Sequence, residues 1–358
     1  MSESSRPSLF TPAVLNGLQV QNRLVRSATG EGMAGPEGEV NDGHVRLYEA
    51  LAKGGVGLII SGHTFVKANG KASKGMTGIH KDERIPEWRK LTEAVHAHGG
   101  KIVAQLNHAG RQTATELIGE TPLAPSAVLN KANNVTPREA TEPEIVELVK
   151  CYGDAARRAK AAGFDGVQLH AAHGYLISQF ISPYTNKRGD AWGGSPERRM
   201  RFLLEAYKSV RQQVGVGYPV MIKLNAEDFI EGGLTVDMSC QIAQALERAG
   251  IDAIEISAGM LETASKIVRT NIHSPEQEAY FLPYAERFRR AVRVPLMLVG
   301  GIRSRAVMDR ILSEGQADFV SLCRPFIREP HLALLLKAGA PKVECISCNQ
   351  CSSSRRQG

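Results

Sequence analysis

No stretch of the chain approaches the ~18 consecutive apolar residues that a membrane-spanning helix needs, so no span is expected. The first residues, Met1 to Pro7, are polar and lack the apolar segment of a secretion signal, which makes the cytoplasm the expected compartment. Aromatic residues are scarce, at 6%, and do not interleave with basic ones. Lys and Arg exceed Asp and Glu by 44 to 37, a net +7, yet they form no stripe, and nucleic-acid binding is not expected. A positive field of this kind favours encounter with anionic small molecules. Cysteine is also sparse, at six residues. Cys151, Cys240 and Cys323 are scattered and read as thiols rather than disulfides; Cys345, Cys348 and Cys351 cluster near the C-terminus. No H-E-x-x-H pattern occurs, and no metal site is expected.

What is present is an ordinary globular composition, 42% hydrophobic and 23% charged. At about 150 residues per domain, 358 residues suggest two domains, but α/β barrels run longer as one. Eight short runs rich in Val, Ile and Leu recur near residues 24–27, 56–60, 102–106, 166–169, 220–224, 253–256, 296–299 and 319–322. They are nearly continuous rather than alternating, as strands buried on both faces are.

Helical patterns fill most gaps. Asn41 is placed to cap one through Lys53, and Thr141 with Glu144 forms a capping box for another reaching Ala162. Further helices are expected over 86–98, 196–214, 236–249, 275–292 and 304–314, several stopped by Gly. Eight strands alternating with helices predict a closed parallel (β/α)8 TIM barrel over residues 1–340, with an open doubly wound sheet as the alternative. Asn16-Gly17, inside 14–21, signals a hairpin that would form a short N-terminal lid over the barrel's bottom. Residues 341–358 form a separate Cys-containing tail, and 110–138 reads as a long irregular loop.

Barrels of this kind carry their chemistry at the carboxyl ends of the strands. After the first strand, Gly30 to Gly35 matches G-x-G-x-x-G, but Pro36 follows and no acidic residue stands about 20 positions on, so a flexible turn is the better reading. Gln105, at the end of the third strand, offers the donor and acceptor that a pyrimidine-like ring edge wants. His170 and His173 follow the fourth strand, with Tyr175 beside them. They suit either a metal pair or two donors for a substrate oxygen with a tyrosine proton donor. Lys223 ends the fifth strand, where a cation can stabilise an anion formed during reaction. Gly300-Gly301 and Cys323-Arg324 end the last two strands, a recurrent phosphate-binding position in barrels.

Together these residues resemble the Old Yellow Enzyme family, the NADH:flavin oxidoreductases / NADH oxidases. The likeness runs from Leu9-Phe10-Thr11-Pro12 and Asn22 to Ala28, through Gln105 to Arg111 and His170 to Phe202, to Cys323-Arg324-Pro325-Phe326. The resemblance implies FMN in a (β/α)8 barrel, with NADH or NADPH as reductant. Ser27, Ala28, Thr29, Gly62 and His63 match flavin-lining positions. Gln105 matches the flavin pyrimidine ligand and Lys223 the base near flavin N1. Gly300, Gly301, Cys323 and Arg324 match the phosphate site. His170 and His173 match the pair that binds a substrate carbonyl, and Tyr175 the proton donor. The implied activity is reduction of activated C=C bonds in enones and enals.

This chain departs from the family pattern at several points. Cys323 stands where Gly is usual, and Gly30 and Gly32 stand where some relatives carry Cys and Tyr. Trp192 and Arg198 replace a common Tyr and Asn. The C-x2-C-x2-C tail is similar to the cluster segment of larger relatives such as 2,4-dienoyl-CoA reductase and trimethylamine dehydrogenase. It lacks their fourth Cys, so a 4Fe–4S cluster is not expected; Cys323 or a partner chain are the remaining sources of a fourth thiolate. Two other functions stay open: an oxidative flavin dehydrogenase of the amine dehydrogenase branch, and a non-catalytic flavin- or redox-sensing binding protein. The expected partner is a small-molecule substrate, and a homo-oligomer is a family expectation.

Overall fold

A computed structural model describes residues 7–353; the ends of the N-terminal polar stretch and of the 341–358 tail lie outside the described residues. The eight apolar runs are eight parallel strands: β1 (Leu24–Arg26), β2 (Leu58–Phe65), β3 (Ile102–Asn107), β4 (Gly166–Ala171), β5 (Val220–Asn225), β6 (Ala253–Ser257), β7 (Leu296–Val299) and β8 (Phe319–Leu322). Each pairs with the next and β8 closes on β1, which makes the (β/α)8 barrel. No helix among the described residues is long and apolar enough to cross a membrane.

Outward strand residues such as Ile102, Ala104, Val167, Leu169, Ile222 and Ile254 join the helices in one large core. Inward residues at the strands' amino ends, Val25, Leu58, Val103, Met221, Met297 and Phe319, form a second apolar cluster with Leu15 and Val20. Those last two come from the hairpin Ala13–Leu15 and Leu18–Val20. Asn16 and Gly17 both hold positive φ, 45° and 79°, the type I′ turn that their sequence requires. The hairpin packs into the barrel's amino end and stops it.

The surrounding helices are α1 (Asp42–Lys53), α2 (Ile85–His96), α3 (Glu142–Ala161), α4 (Pro196–Val214), α5 (Val236–Ala249), α6 (Leu282–Ala291), α7 (Arg305–Ser313) and α8 (Leu332–Lys337), with short turns between. Asn41 Oδ1 accepts the backbone N–H of Gly43 at 3.0 Å and so caps α1. Glu144 accepts the Thr141 N–H at 2.8 Å, completing the capping-box return at α3.

One expected helix is broken. Residues 275–292 do not form a single helix: a 3₁₀ turn covers Pro275–Gln277, and α6 starts at Leu282. Pro283 lacks an N–H and its ring would strike the preceding turn, so it is tolerated only in a helix's first turn. The chain bends at Ala279 (φ 50°) and turns Tyr280 and Phe281 towards the barrel mouth. The 110–138 segment is mainly irregular, with a one-turn helix at Thr115–Ile118 and a two-residue strand at Leu123–Ala124 that pairs with Arg138–Glu139.

Candidate active site

A cavity of about 410 Å³ opens at the carboxyl end of the barrel. Ala28, Thr29, His63, Gln105, His170, His173, Tyr175, Lys223, Gly300, Gly301, Cys323 and Arg324 all line it. Two of the residues matched to the flavin site stand behind that lining. Ser27 lies below it, and Gly62 donates its N–H to Glu31 Oε1 at 3.0 Å. Glu31 is itself held by buried Arg26 at 3.2 Å and by the Tyr48 hydroxyl. The G-x-G-x-x-G stretch opens no helix.

Strand alternation explains the cavity floor. Inward positions are apolar at the amino ends and polar one step further along. Gln105 Nε2 donates to Gln168 Oε1 at 2.7 Å, and Gln168 Nε2 donates to Glu255 Oε2 at 2.9 Å. Glu255 accepts from Ser27 Oγ at 2.5 Å and lies 3.3 Å from Lys223 Nζ, which also donates to Ser27 Oγ at 2.7 Å. This buried chain fixes the Gln105 carboxamide and the Lys223 ammonium in place. Gln168 and Glu255 were missed in the sequence. The signal was there: a polar side chain within each apolar run, in phase with its inward neighbours.

Above this floor sit the imidazoles. The His170 and His173 rings are perpendicular with centroids 5.2 Å apart, and the Tyr175 ring is 4.9 Å from His170. His63 joins them, 5.1 Å from Tyr175, with Nδ1 2.9 Å from Asn107 Nδ2. His173 holds a left-handed backbone at φ 63°, and its carbonyl accepts from Gln112 Nε2 at 2.6 Å. Its Nε2 lies 2.7 Å from Ser257 Oγ, a residue that sequence reading also missed.

Burial, then the neighbouring imidazoles and Lys223, pushes His170 well below its ordinary value. Burial, then Lys223 and His63, lowers His173 to about 3. Both rings are therefore neutral at physiological pH, each with one N–H to donate.

One side of the mouth is a lid after β6. Leu261, Ala264, Ile267 and Val268 line the cavity. The lid is tied to the loop after β3 by a buried ion pair, Arg111 Nη2 to Glu262 Oε1 at 2.5 Å. Tyr280 OH donates to Ile267 O at 3.0 Å.

The donor set fits a flavin mononucleotide. Gln105 and Lys223, fixed by the buried chain, could meet a polar ring edge, and Gly300, Gly301 and Arg324 in the same lining could take a phosphate. Three cavity-lining residues hold buried polar atoms that no described protein group satisfies, His170 Nδ1, Arg303 Nε and Ser321 Oγ. Buried polar atoms normally have partners, so a polar ligand is called for here. Gly300 and Gly301 hold φ of 136° and 70°, which L side chains rarely adopt. No group of three or more His, Cys, Asp or Glu suited to a metal occurs among the described residues.

Residues 8–342 match the model of the NADH:flavin oxidoreductase / NADH oxidase family. The NADH oxidase of Thermoanaerobacter brockii is 39% identical over 347 residues, 96% of this chain and 53% of that protein. An NADPH dehydrogenase of Geobacillus sp. (strain WCH70) is 39% identical over 324 residues, 90% of this chain and 92% of that one. Among solved structures, a 2-naphthoyl-CoA reductase complex with 2-naphthoyl-CoA superposes with a TM-score of 0.91 at 32% identity, over 96% of this chain and 54% of that one. The chain thus spans about half the length of the longer relatives and nearly all of the shorter one. With both sequence and barrel matched over almost its whole length, this chain belongs to the NADH:flavin oxidoreductase / NADH oxidase family, the flavin-dependent NADH and NADPH oxidoreductases of Old Yellow Enzyme type.

Proposed function

We propose that the protein is an FMN-dependent NAD(P)H oxidoreductase that reduces the activated C=C bond of enones and enals. The observation that carries this reading is the pairing of two neutral imidazoles with a tyrosine hydroxyl and a buried lysine, around a cavity lined by no Asp or Glu among the described residues. When bound, FMN supplies the redox chemistry, accepting a hydride from NADH or NADPH and passing one to the β-carbon of the acceptor.

The rest falls to the protein. Gln105 would hold the polar edge of the ring, and Lys223 would place positive charge where reduction leaves negative charge. Arg324 with Gly300 and Gly301 would take the phosphate. His170 and His173 would each donate one N–H to the acceptor's carbonyl oxygen and stabilise the enolate that forms as its double bond is reduced. Tyr175 would give a proton to the α-carbon. Gln112 and Ser257 hold His173 so that its ring needs no reorganisation when charge develops.

Amine oxidation suits this cavity less well. An alkylammonium would meet Lys223, Arg303 and Arg324 and find no carboxylate to pair with among the described lining residues. The deciding experiment loads the protein with FMN and follows anaerobic NADH or NADPH oxidation with 2-cyclohexenone, against trimethylamine with an artificial electron acceptor. Enone-dependent NAD(P)H oxidation supports the proposal. Turnover with the amine alone would replace it with the dehydrogenase reading, and turnover with neither acceptor would leave a binding protein.

A further inference from the structure

We infer that Asn349, in the C-terminal tail, is a positioning residue for Arg324, and that it makes the site favour a phosphorylated flavin over an unphosphorylated one. The inference rests on the reading of Arg324 as the phosphate residue.

The tail lies against the cavity, with Ser347 and Cys351 in its lining. Arg324 Nη1 donates to Asn349 Oδ1 at 2.7 Å and to the Ser347 carbonyl at 3.3 Å. Asn349 Nδ2 donates to the Val268 carbonyl at 3.3 Å. One carboxamide therefore joins the end of β8, the tail and the lid. The turn that presents it is built with care: Ser347 is buried, and Ser347 and Asn349 both hold left-handed backbones at φ 57° and 63°. Asn is one of the few residues that tolerates this conformation.

A guanidinium is planar and has five N–H donors. The tail takes the two on Nη1. The Nε and Nη2 edge is the part that can meet two phosphate oxygens side by side. A free arginine side chain would lose rotamer entropy on being held. Here the tail holds it before any ligand arrives, and preorganisation of this kind appears as affinity. Riboflavin has no phosphate and gains nothing from it.

The test strips flavin from the full chain and titrates it with FMN and, separately, with riboflavin, following quenching of flavin fluorescence. Asn349→Ala should raise the Kd for FMN about tenfold, the scale of one hydrogen bond to a charged group, and leave that for riboflavin unchanged. Asn349→Asp should weaken FMN further, because it sets a carboxylate beside the phosphate. Equal loss for both flavins would overturn the inference, since the tail would then act only on the fold of the site. An unchanged FMN affinity would overturn it as well. Arg324→Ala separates the two claims. If that variant loses the preference for FMN while Asn349→Ala keeps it, the phosphate reading stands and the role of Asn349 falls. If Arg324→Ala keeps the preference, the phosphate reading fails and takes this inference with it.

Discussion

Lys223 and Glu255 stand opposite each other in register on neighbouring barrel strands, with Nζ 3.3 Å from the carboxylate. Both are buried, and Ser27 bridges them. The lysine thus offers its charge to the cavity with a counter-charge directly behind it. A buried ammonium alone would be costly to desolvate; the pair keeps it in place and moderates the field it casts.

This arrangement predicts opposite effects from its two members. Lys223→Met should lower the midpoint potential of bound flavin, because a negatively charged reduced ring loses its cation. Glu255→Gln should raise it, because the cation loses its counter-charge. A change of about 30 mV in each direction corresponds to ~1.4 kcal/mol for a two-electron couple. Dye-coupled redox titration gives both values, and shifts of the same sign would contradict the account.

Tyr175→Phe removes the proposed proton donor while leaving the ring among His63 and His170. Flavin reduction by NADPH should keep its rate, whereas reoxidation by 2-cyclohexenone should slow about a hundredfold, the low end for a lost general acid. Stopped-flow traces of the two half-reactions separate these outcomes. Equal slowing of both would assign Tyr175 to binding instead.

The buried Arg111–Glu262 pair makes a stability prediction. Glu262→Gln leaves the Arg111 charge buried without its partner and should cost about 3 kcal/mol in urea unfolding. Replacing both residues by Leu removes the uncompensated charge and should recover part of that loss. A double variant less stable than Glu262→Gln would show that the pair does more than neutralise itself.

Acid should destabilise the fold through its buried histidines. His108 Nε2 donates to Asn69 Oδ1 at 3.0 Å, and its Nδ1 accepts the Gly110 N–H at 3.0 Å. A proton on Nδ1 would face that N–H, and burial already lowers this group to about 3. His173 is also lowered to about 3, and His80 to about 4. Their folded values lie below the unfolded value near 6.5, so the unfolded chain binds more protons between those limits. Stability should therefore fall as pH drops from ~6.5 towards 4. His108→Gln keeps a donor and an acceptor but cannot be charged, so its Tm should fall less steeply with acid. A parent and variant with parallel curves would remove His108 from this account.

The sequence was most legible where one physical demand dominates. Strands buried on both faces must be apolar, so the runs at 102–106 and 220–224 marked themselves, as did the Asn16-Gly17 turn and the Thr141–Glu144 cap. The helix expected over 275–292 fails at a single residue, Pro283, whose tolerance depends on whether it falls in a first turn. The floor network was hidden for a different reason. Ser27 and Glu255 are 228 residues apart, and a lone glutamate within 253–256 becomes intelligible only when Lys223 is seen beside it. The lid shows the same limit: Glu262 is buried because of Arg111, 151 residues earlier in the chain.

The hairpin that stops the amino end of the barrel has a kinetic consequence. With Leu15 and Val20 packed against the inward residues at the strands' amino ends, the barrel is closed on that side, and the described cavity opens at the carboxyl end. Under the proposed function, electron donor and electron acceptor would enter from that end and take turns on one seat. Parallel lines in a double-reciprocal plot are the expected signature, with each reactant inhibiting when it is in excess. The turnover rate would be set in part by how quickly the oxidised nicotinamide vacates, a property governed by the lid and the tail rather than by the strands that hold the chemistry.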